Sequence, residues 1–481
     1  MTLMNIRTRF APSPTGFMHV GNLRTGLFAW LTARHSGGQF IVRLEDTDKN
    51  REVEGSAEHI LRCLDMLGLD RDEGVDVGGP YAPYKQSERL SIYRAWAQKL
   101  IDAGRAYADP YSAAEVQAFR EQAQTAKRAF LYRDHRPENP PVWDGSTPLR
   151  FKSDPRSYQW HDEVMGDLST GPEVIDDFIL IKSDGYPTYN FAHIVDDAEM
   201  HVTHVIRGQE FLSSMPNYLN LYEALDLTPP LFATVPHIMN EQGNKKLGKR
   251  DGAKDVLDYV RQGYLPETLL SFIATLGWND GTEQEVFTRD ELIAAFDLVR
   301  VQRSGARFDE RRLLWMNGQF IRELSLDDLY VRVADFWPAS AANADEDDKR
   351  HVLELVQDRL KTLADLPLLS DYFFAEPTAN PALITGNKQL AKLGPEEQST
   401  LLRQAREALA SSDWTPQAIQ DTLNQLLETT GQKPGTLFSL IRIATTWAPF
   451  SPQLNDTLAL LGRDRTLARL DQAQTTVADH A

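Results

Sequence analysis

The stretch ARHSGGQFIVRLEDTD, Ala33 to Asp48, decides the fold. It reads as the last turn of a helix, a two-glycine stop, a short apolar strand and then an abrupt cluster of charge. Gly37 and Gly38 end the helix, because glycine accepts the left-handed backbone that a helix terminus asks for. Phe40, Ile41 and Val42 run without alternation, the pattern of a parallel strand buried on both faces. Upstream, Ile6 to Ala11 is another strand-like run and the breaker-rich PSPTG follows it. Leu23, Leu27, Trp30 and Leu31 then recur at helical spacing. Together these segments predict a β-α-β unit. Ligands of open α/β sheets bind at the carboxyl ends of strands, so Arg43, Glu45 and Asp46 fall where a site belongs. A strand that only filled a core would have no use for them.

The rest of the chain sets bounds. Its 481 residues exceed what one hydrophobic core supports, so two to five domains are expected. The single cysteine, Cys63, excludes an internal disulfide and any multi-cysteine zinc site. No stretch is apolar enough to span a bilayer, and the first residues lack the apolar core of a secretory signal. A cytoplasmic protein without a membrane partner is expected. A net charge of −18 argues against a basic surface overall, yet leaves room for a local basic face toward nucleic acid.

Further strand-like runs are DDFILIKS, VTHVIRG and LFATVPHIM. The irregular, polar stretch from Tyr107 to about Arg150 suggests an inserted module. After Asp255 the pattern turns helical. Thr415-Pro416 starts a helix with Ile419, Leu423, Leu426 and Leu427 on its apolar face, and Gly431 ends it. Val352, Val356, Leu360 and Leu363 mark another near His351. Ala339 to Arg350, ASAANADEDDKR, is expected to be a solvated loop. An α/β half is therefore followed by an all-helical half.

Two segments carry phosphate chemistry. APSPTGFMHVGN, Ala11 to Asn22, joins the first strand to the first helix with neither G-x-G-x-x-G nor a Walker lysine. His19 and Gly21 fall at the helix start, where backbone amides and the helix dipole favour phosphate. NKKLGKRDG, Asn244 to Gly252, is a glycine-flanked loop with four cations, suited to hold a polyphosphate as charge develops. Alone, each also reads as an ordinary turn and an ordinary basic loop.

In combination they resemble the HIGH and KMSKS signatures of class I aminoacyl-tRNA synthetases. RFAPSPTG, HVGN, RLEDTD, DEGVDVGGPYAPYKQSER, SDGYPTYNFAHIVDD, VIRGQE, KLGKRDG and FDERRLLWMNG, in this order, narrow the resemblance to the bacterial glutamyl-tRNA synthetase family. The similarity runs more weakly through the helical half.

The resemblance implies ATP-dependent ligation of L-glutamate to tRNA(Glu) through glutamyl-adenylate, with release of AMP and pyrophosphate. It implies Mg²⁺ bound with ATP, and a monomer. Arg9, Ala11, Ser13, Glu45, Tyr189, His193 and Arg207 would bind glutamate, Arg207 its side-chain carboxylate and Glu45 its ammonium. His19, Gly21, Asn22, Glu210, Lys246, Lys249 and Arg250 would bind ATP, with His19, Lys246 and Lys249 assisting the chemistry. Arg442 would lie in the anticodon region.

The implied architecture is a Rossmann-like catalytic domain in two halves, 1–106 and 186–254, around an acceptor-binding insert, 107–185. A stem-contact region, 255–323, and a helical anticodon-binding domain, 324–481, complete it. Three departures stand out. Gly248 replaces the usual serine of K-x-S-K-R, and Trp447 stands where relatives usually have glycine. The insert lacks the cysteines that bind zinc in some members, so no zinc and no protein metal ligands are expected. A short paralogue that glutamylates a modified tRNA base would lack the helical half, and a glutaminyl-tRNA synthetase would continue into β-barrels. A catalytically dead RNA-binding protein would not need His19, Lys246, Lys249 and Arg207.

Overall fold

The computed structural model describes residues 5–248 and 254–479. Twelve strands occur among them: β1 (Arg7–Phe10), β2 (Gln39–Val42), β3 (Glu73–Gly74), β4 (Ala106–Ala108), β5 (Leu149–Phe151) and β6 (Tyr158–Asp162), then β7 (Gly166–Thr170), β8 (Ile179–Ile181), β9 (His204–Gly208), β10 (Leu231–Val235), β11 (Ile238–Met239) and β12 (Ala306–Arg307). The main sheet has the order β3-β2-β1-β9-β10-β6-β7 and is parallel except for the last pair. Successive strands run outward from β1 to β3 on one side and from β9 to β10 on the other. The strand order therefore reverses between β1 and β9, and the crevice above that point is where such sheets bind ligands.

The opening stretch folds as its pattern predicts. Helix α1 (Val20–His35) ends at Ser36, Gly37 takes φ 65°, and β2 follows. A Cβ on Gly38 would run into the carbonyl oxygen of Ile6, so this turn needs glycine for space as well as for conformation. Helix α1 is covered by the fold rather than half exposed: Leu23, Leu27, Phe28, Trp30 and Leu31 are all buried. The next four α-helices along the chain are α2 (Ser56–Met66), α3 (Leu90–Asp102), α4 (Ala113–Thr125) and α5 (Tyr189–Glu199). Within residues 107–185, β5 pairs with β4 on one side and β8 on the other in a separate antiparallel sheet, while β6 and β7 extend the main sheet.

The chain divides into two compact units, Met1–Tyr259 with Leu269–Glu310, and Val260–Thr268 with Arg311–Ala481. The second is helical. Its Arg469 is buried and donates to the carbonyls of Thr445, Tyr372 and Ala375 and to Glu376. The predicted helix from Pro416 ends at Thr430, with Gly431 at φ 65°. One expectation needs correction. Residues 339–350 are not all loop, because a helix spans Glu346–Val356. Asp345 caps it by accepting the amide of Asp348, and Glu346, Asp347 and Asp348 sit in its first turn, where the helix dipole favours acid.

Trp447 lies at the end of helix Pro434–Thr446 with φ 47° and ψ 33°, its amide bonded to the carbonyl of Ile443. This left-handed cap explains why glycine suits the position. Among the described residues no helix is long and apolar enough to cross a membrane.

Candidate active site

A cavity of about 690 Å³ opens above the β1/β9 switch point. Arg9, Ala11, Ser13, Glu45, Tyr189 and Arg207 line it, all from the predicted glutamate group. Asn22 and Glu210 from the predicted ATP group line the same cavity, with Thr15, Thr25 and Phe211 beside them.

Arg207 leaves the carboxyl end of β9 and is 3% exposed. Its guanidinium carbon lies 5.0 to 5.9 Å from the ring centroids of Phe232, Tyr218 and Phe211. One terminal nitrogen faces the sulfur of Met215, whereas Nε and Nη1 have no hydrogen-bond partner. Among the described residues no carboxylate pairs with it. Burial pulls its pKa below the ordinary value, with Tyr189 and Tyr218 opposing. Leaving two donors of a buried cation unmet is costly, so the group is built for an anion that arrives from solution.

Glu45 follows β2 and is 4% exposed. Arg43 donates to it at 2.9 Å, yet burial outweighs that partner and pushes the carboxyl pKa up to about 7. A cationic ligand would bring it back down. Arg9 is held in place by Asp197, at 3.2 and 3.3 Å, and by the carbonyl of Ile206. Tyr189 starts α5 and is stacked between Phe211, 5.0 Å away, and His193, 4.7 Å away. His193 does not line the cavity. It backs Tyr189, and burial pulls its pKa down to about 3, which keeps the ring neutral.

Beneath the cavity lies a charge network that sequence reading missed. Arg43 meets Asp197 at 2.8 Å and Asp196 at 3.5 Å, Arg89 meets Asp196 at 2.7 Å, and Tyr93 and Gln86 donate to Asp196 as well. The signal was there in AHIVDD, two acids ending an otherwise apolar helix, but nothing local names their partners. Asp46 accepts the amide of Ser87 and pairs with Lys49, which fastens the loop after β2.

His19 caps α1, its Nδ1 accepting the amide of Gly21 at 3.1 Å. That amide is thus taken by the ring itself, and in the neutral form the imidazole proton sits on Nε2. His19, Gly21 and Lys246 do not line the cavity described above. Lys246 bridges to Met239 of β11 and depresses the pKa of His237, behind the larger effect of burial. Lys249 and Arg250 lie outside the described residues.

The single cysteine does join metal-capable neighbours. Ligating atoms of His59, Cys63 and Asp255 lie within 4.8 Å of one another. Their present arrangement is hydrogen-bonded: the His59 ring donates to Asp255, and burial pushes the Cys63 thiol up to about 12, so it keeps its proton.

A parallel sheet with its cavity at the switch point, an H-x-G helix start and a K-L-x-K-R segment define a class I synthetase core. The model of the class I tRNA synthetases (E and Q), catalytic domain, matches residues 5–315, and an anticodon binding domain model matches 328–474. The chain belongs to that family. A glutamate–tRNA ligase of Clostridium botulinum is 40% identical over 475 residues, 97% of each chain. One of Dehalococcoides mccartyi is 40% identical over 478 residues, again 97% of each. A crystal structure of a glutamate tRNA ligase from Elizabethkingia meningosepticum, in complex with its amino acid, matches with TM-score 0.86 at 31% identity. The match covers 98% of this chain and all of that one.

Proposed function

We propose that this protein ligates L-glutamate to tRNA(Glu) at the expense of ATP. The observation that carries the reading is Arg207, a buried cation with two unmet donors, facing the same cavity as the Glu45 carboxylate. The pair suits a ligand with a carboxylate at one end and an ammonium at the other. A guanidinium can fork onto a carboxylate through two parallel bonds, whereas an amide would bring donors against donors.

In the first step an oxygen of glutamate's α-carboxylate bonds to the α-phosphorus of ATP, and the bond to the bridging oxygen breaks, releasing pyrophosphate. In the second, the 2′-hydroxyl of the terminal adenosine attacks the glutamyl carbonyl. AMP leaves with the electron pair of the broken anhydride bond, and the hydroxyl proton is lost. No protein nucleophile takes part, so positioning and electrostatics carry the rate. Asn22 and Glu210 would hold ATP beside the amino acid. His19, Gly21, Lys246, Lys249 and Arg250 would surround its phosphates, with Mg²⁺ travelling on the nucleotide.

Residues 1–106 and 186–254 form the catalytic domain in this reading, 107–185 the acceptor-binding insert, 255–323 the stem contact and 324–481 the anticodon-binding domain. Arg442, half-buried with its Nε on Ser451, is assigned to the anticodon region. A monomer and a cytoplasmic setting complete the reading, the single cysteine suiting a reducing compartment. Aminoacylation of purified tRNA(Glu) and tRNA(Gln), each with glutamate and glutamine, tests the assignment. Glutamate on tRNA(Glu) is the expected product, and charging with glutamine alone would refute it.

A further inference from the structure

Helix α2 braces the segment TGFMHVGN at two points. Ser56 Oγ donates to the carbonyl of Gly16 at 2.7 Å, and one turn later His59 Nδ1 accepts the amide of Met18 at 3.4 Å. Phe17 stacks on the His59 ring, centroids 4.6 Å apart. Because Nδ1 accepts, the ring proton is on Nε2, and that N–H donates to the Asp255 carboxylate, 2.8 Å from either oxygen. Asp255 is three residues past the end of KLGKRDG, just ahead of the helix Val256–Arg261. Its side chain accepts the amide of Leu257, its backbone bridges to His19, and the next amide, Val256, donates to the carbonyl of Met18. Both partners are largely sheltered, with 11% and 16% of their side chains exposed, so water competes weakly for the bond. Neither a core-filling role nor a surface ion pair would need a ring that engages the segment before α1 and Asp255, three residues past KLGKRDG, at once.

We propose that His59 is a positioning residue for the activation step, a tether that fixes the exit of KLGKRDG against the start of α1. This rests on the reading that His19 and the KLGKR lysines handle the phosphates of ATP. The tether sets the spacing between those two groups and touches neither substrate. A misplacement of about 1 Å far from the chemistry can cost up to 10²-fold in rate, so loss of a tether at this spacing is expected to cost about tenfold.

The test is ATP–pyrophosphate exchange by the full chain, with glutamate and cognate tRNA present, in His59→Ala and His59→Gln. His59→Ala should lower kcat about tenfold, leave KM for glutamate unchanged, and keep its unfolding midpoint above the assay temperature. His59→Gln retains a donor of similar reach and should recover most of the rate. Asp255→Ala should lower kcat to a similar extent, and the double variant His59→Ala/Asp255→Ala should be no worse than the poorer single one. A folded His59→Ala with wild-type kcat overturns the tether. So does a folded His59→Gln no faster than His59→Ala, and so do losses that multiply in the double variant. Should His59→Ala fail to fold, His59→Gln with wild-type kcat still supports the proposal, and a tenfold loss there overturns it. His19→Ala runs in parallel: an unchanged rate in that variant refutes the phosphate-site reading itself, whereas a large loss there beside an unaffected His59→Ala refutes only the tether.

Discussion

Two groups of buried charge lie at neighbouring strands of the main sheet, around the ends of β1 and β2 and on β9, and they are built oppositely. At the floor of the cavity and beneath it, Arg9, Arg43 and Arg89 face Asp196, Asp197 and Glu45, each cation with a carboxyl partner. In its wall, Arg207 has aromatic rings and a thioether for company and two donors left over. The first arrangement holds the ends of β1 and β2 to α5. The second stores an unmet interaction. Pairing does not bar a group from the site, since Arg9 and Glu45 are paired and still line the cavity, but Arg207, left without a carboxylate among the described residues, speaks most directly of a ligand.

The contrast breaks most visibly under mutation. Asp197→Ala would leave Arg9 without its carboxylate and take one of Arg43's three, and removing one partner of a buried pair costs about 3–5 kcal/mol. Urea unfolding should show that loss. Arg207→Met should do the reverse, because replacing an uncompensated buried charge with an apolar side chain of similar length is neutral or stabilising by about 1 kcal/mol or more. The same variant should lose aminoacylation by at least about 100-fold, so stability and activity part company at this residue.

pH sharpens the difference. Burial tends to raise the pKa of Asp197, but Arg9 and Arg43 hold it below the ordinary value, so its contribution to folding is present above the unfolded pKa and lost as pH falls. Glu45 behaves oppositely. Its pKa is raised to about 7, so its contribution is present below the unfolded value and lost as pH climbs through about 7. Function needs the form that folding disfavours, since only the carboxylate receives an ammonium. The kcat/KM for glutamate, which reports the free enzyme, should fall up to about tenfold per pH unit below about 7. In Glu45→Gln that limb should flatten and the overall rate drop. An unchanged limb in Glu45→Gln would place the titration elsewhere.

The smallest effect lies in the helical unit. Trp447→Gly relieves a left-handed tryptophan, worth roughly 1–2 kcal/mol, and frees a buried Nε1 without a partner. It also forfeits the burial of a side chain only 7% exposed, worth about 2–3 kcal/mol, so a net loss near 1 kcal/mol is expected in thermal unfolding.

Glu45 was legible from its place at a strand's carboxyl end, and Arg9, Tyr189 and Arg207, which one cavity gathers beside it, were legible through the family resemblance. The network beneath was not, since Asp197 meets residues more than 150 positions away and no spacing announces such a partner. His59 was invisible for the same reason, with its carboxylate partner 196 residues on. The acidic run at 345–350 misled in the other direction. Its polarity suggested solvent, while the cap at Asp345 and the dipole made it a helix start.

The claim that Arg207 reads the substrate's side chain meets its most direct test in the ratio of kcat/KM for glutamate to that for glutamine. The two are nearly isosteric, so the pocket must separate them by charge. A site whose polar groups would be left unpaired rejects the wrong analogue by about 10⁴-fold or more. In Arg207→Gln the ratio should collapse by at least about 100-fold, driven by the loss with glutamate. A ratio that stays at the wild-type value would show that Arg207 does not read the side chain.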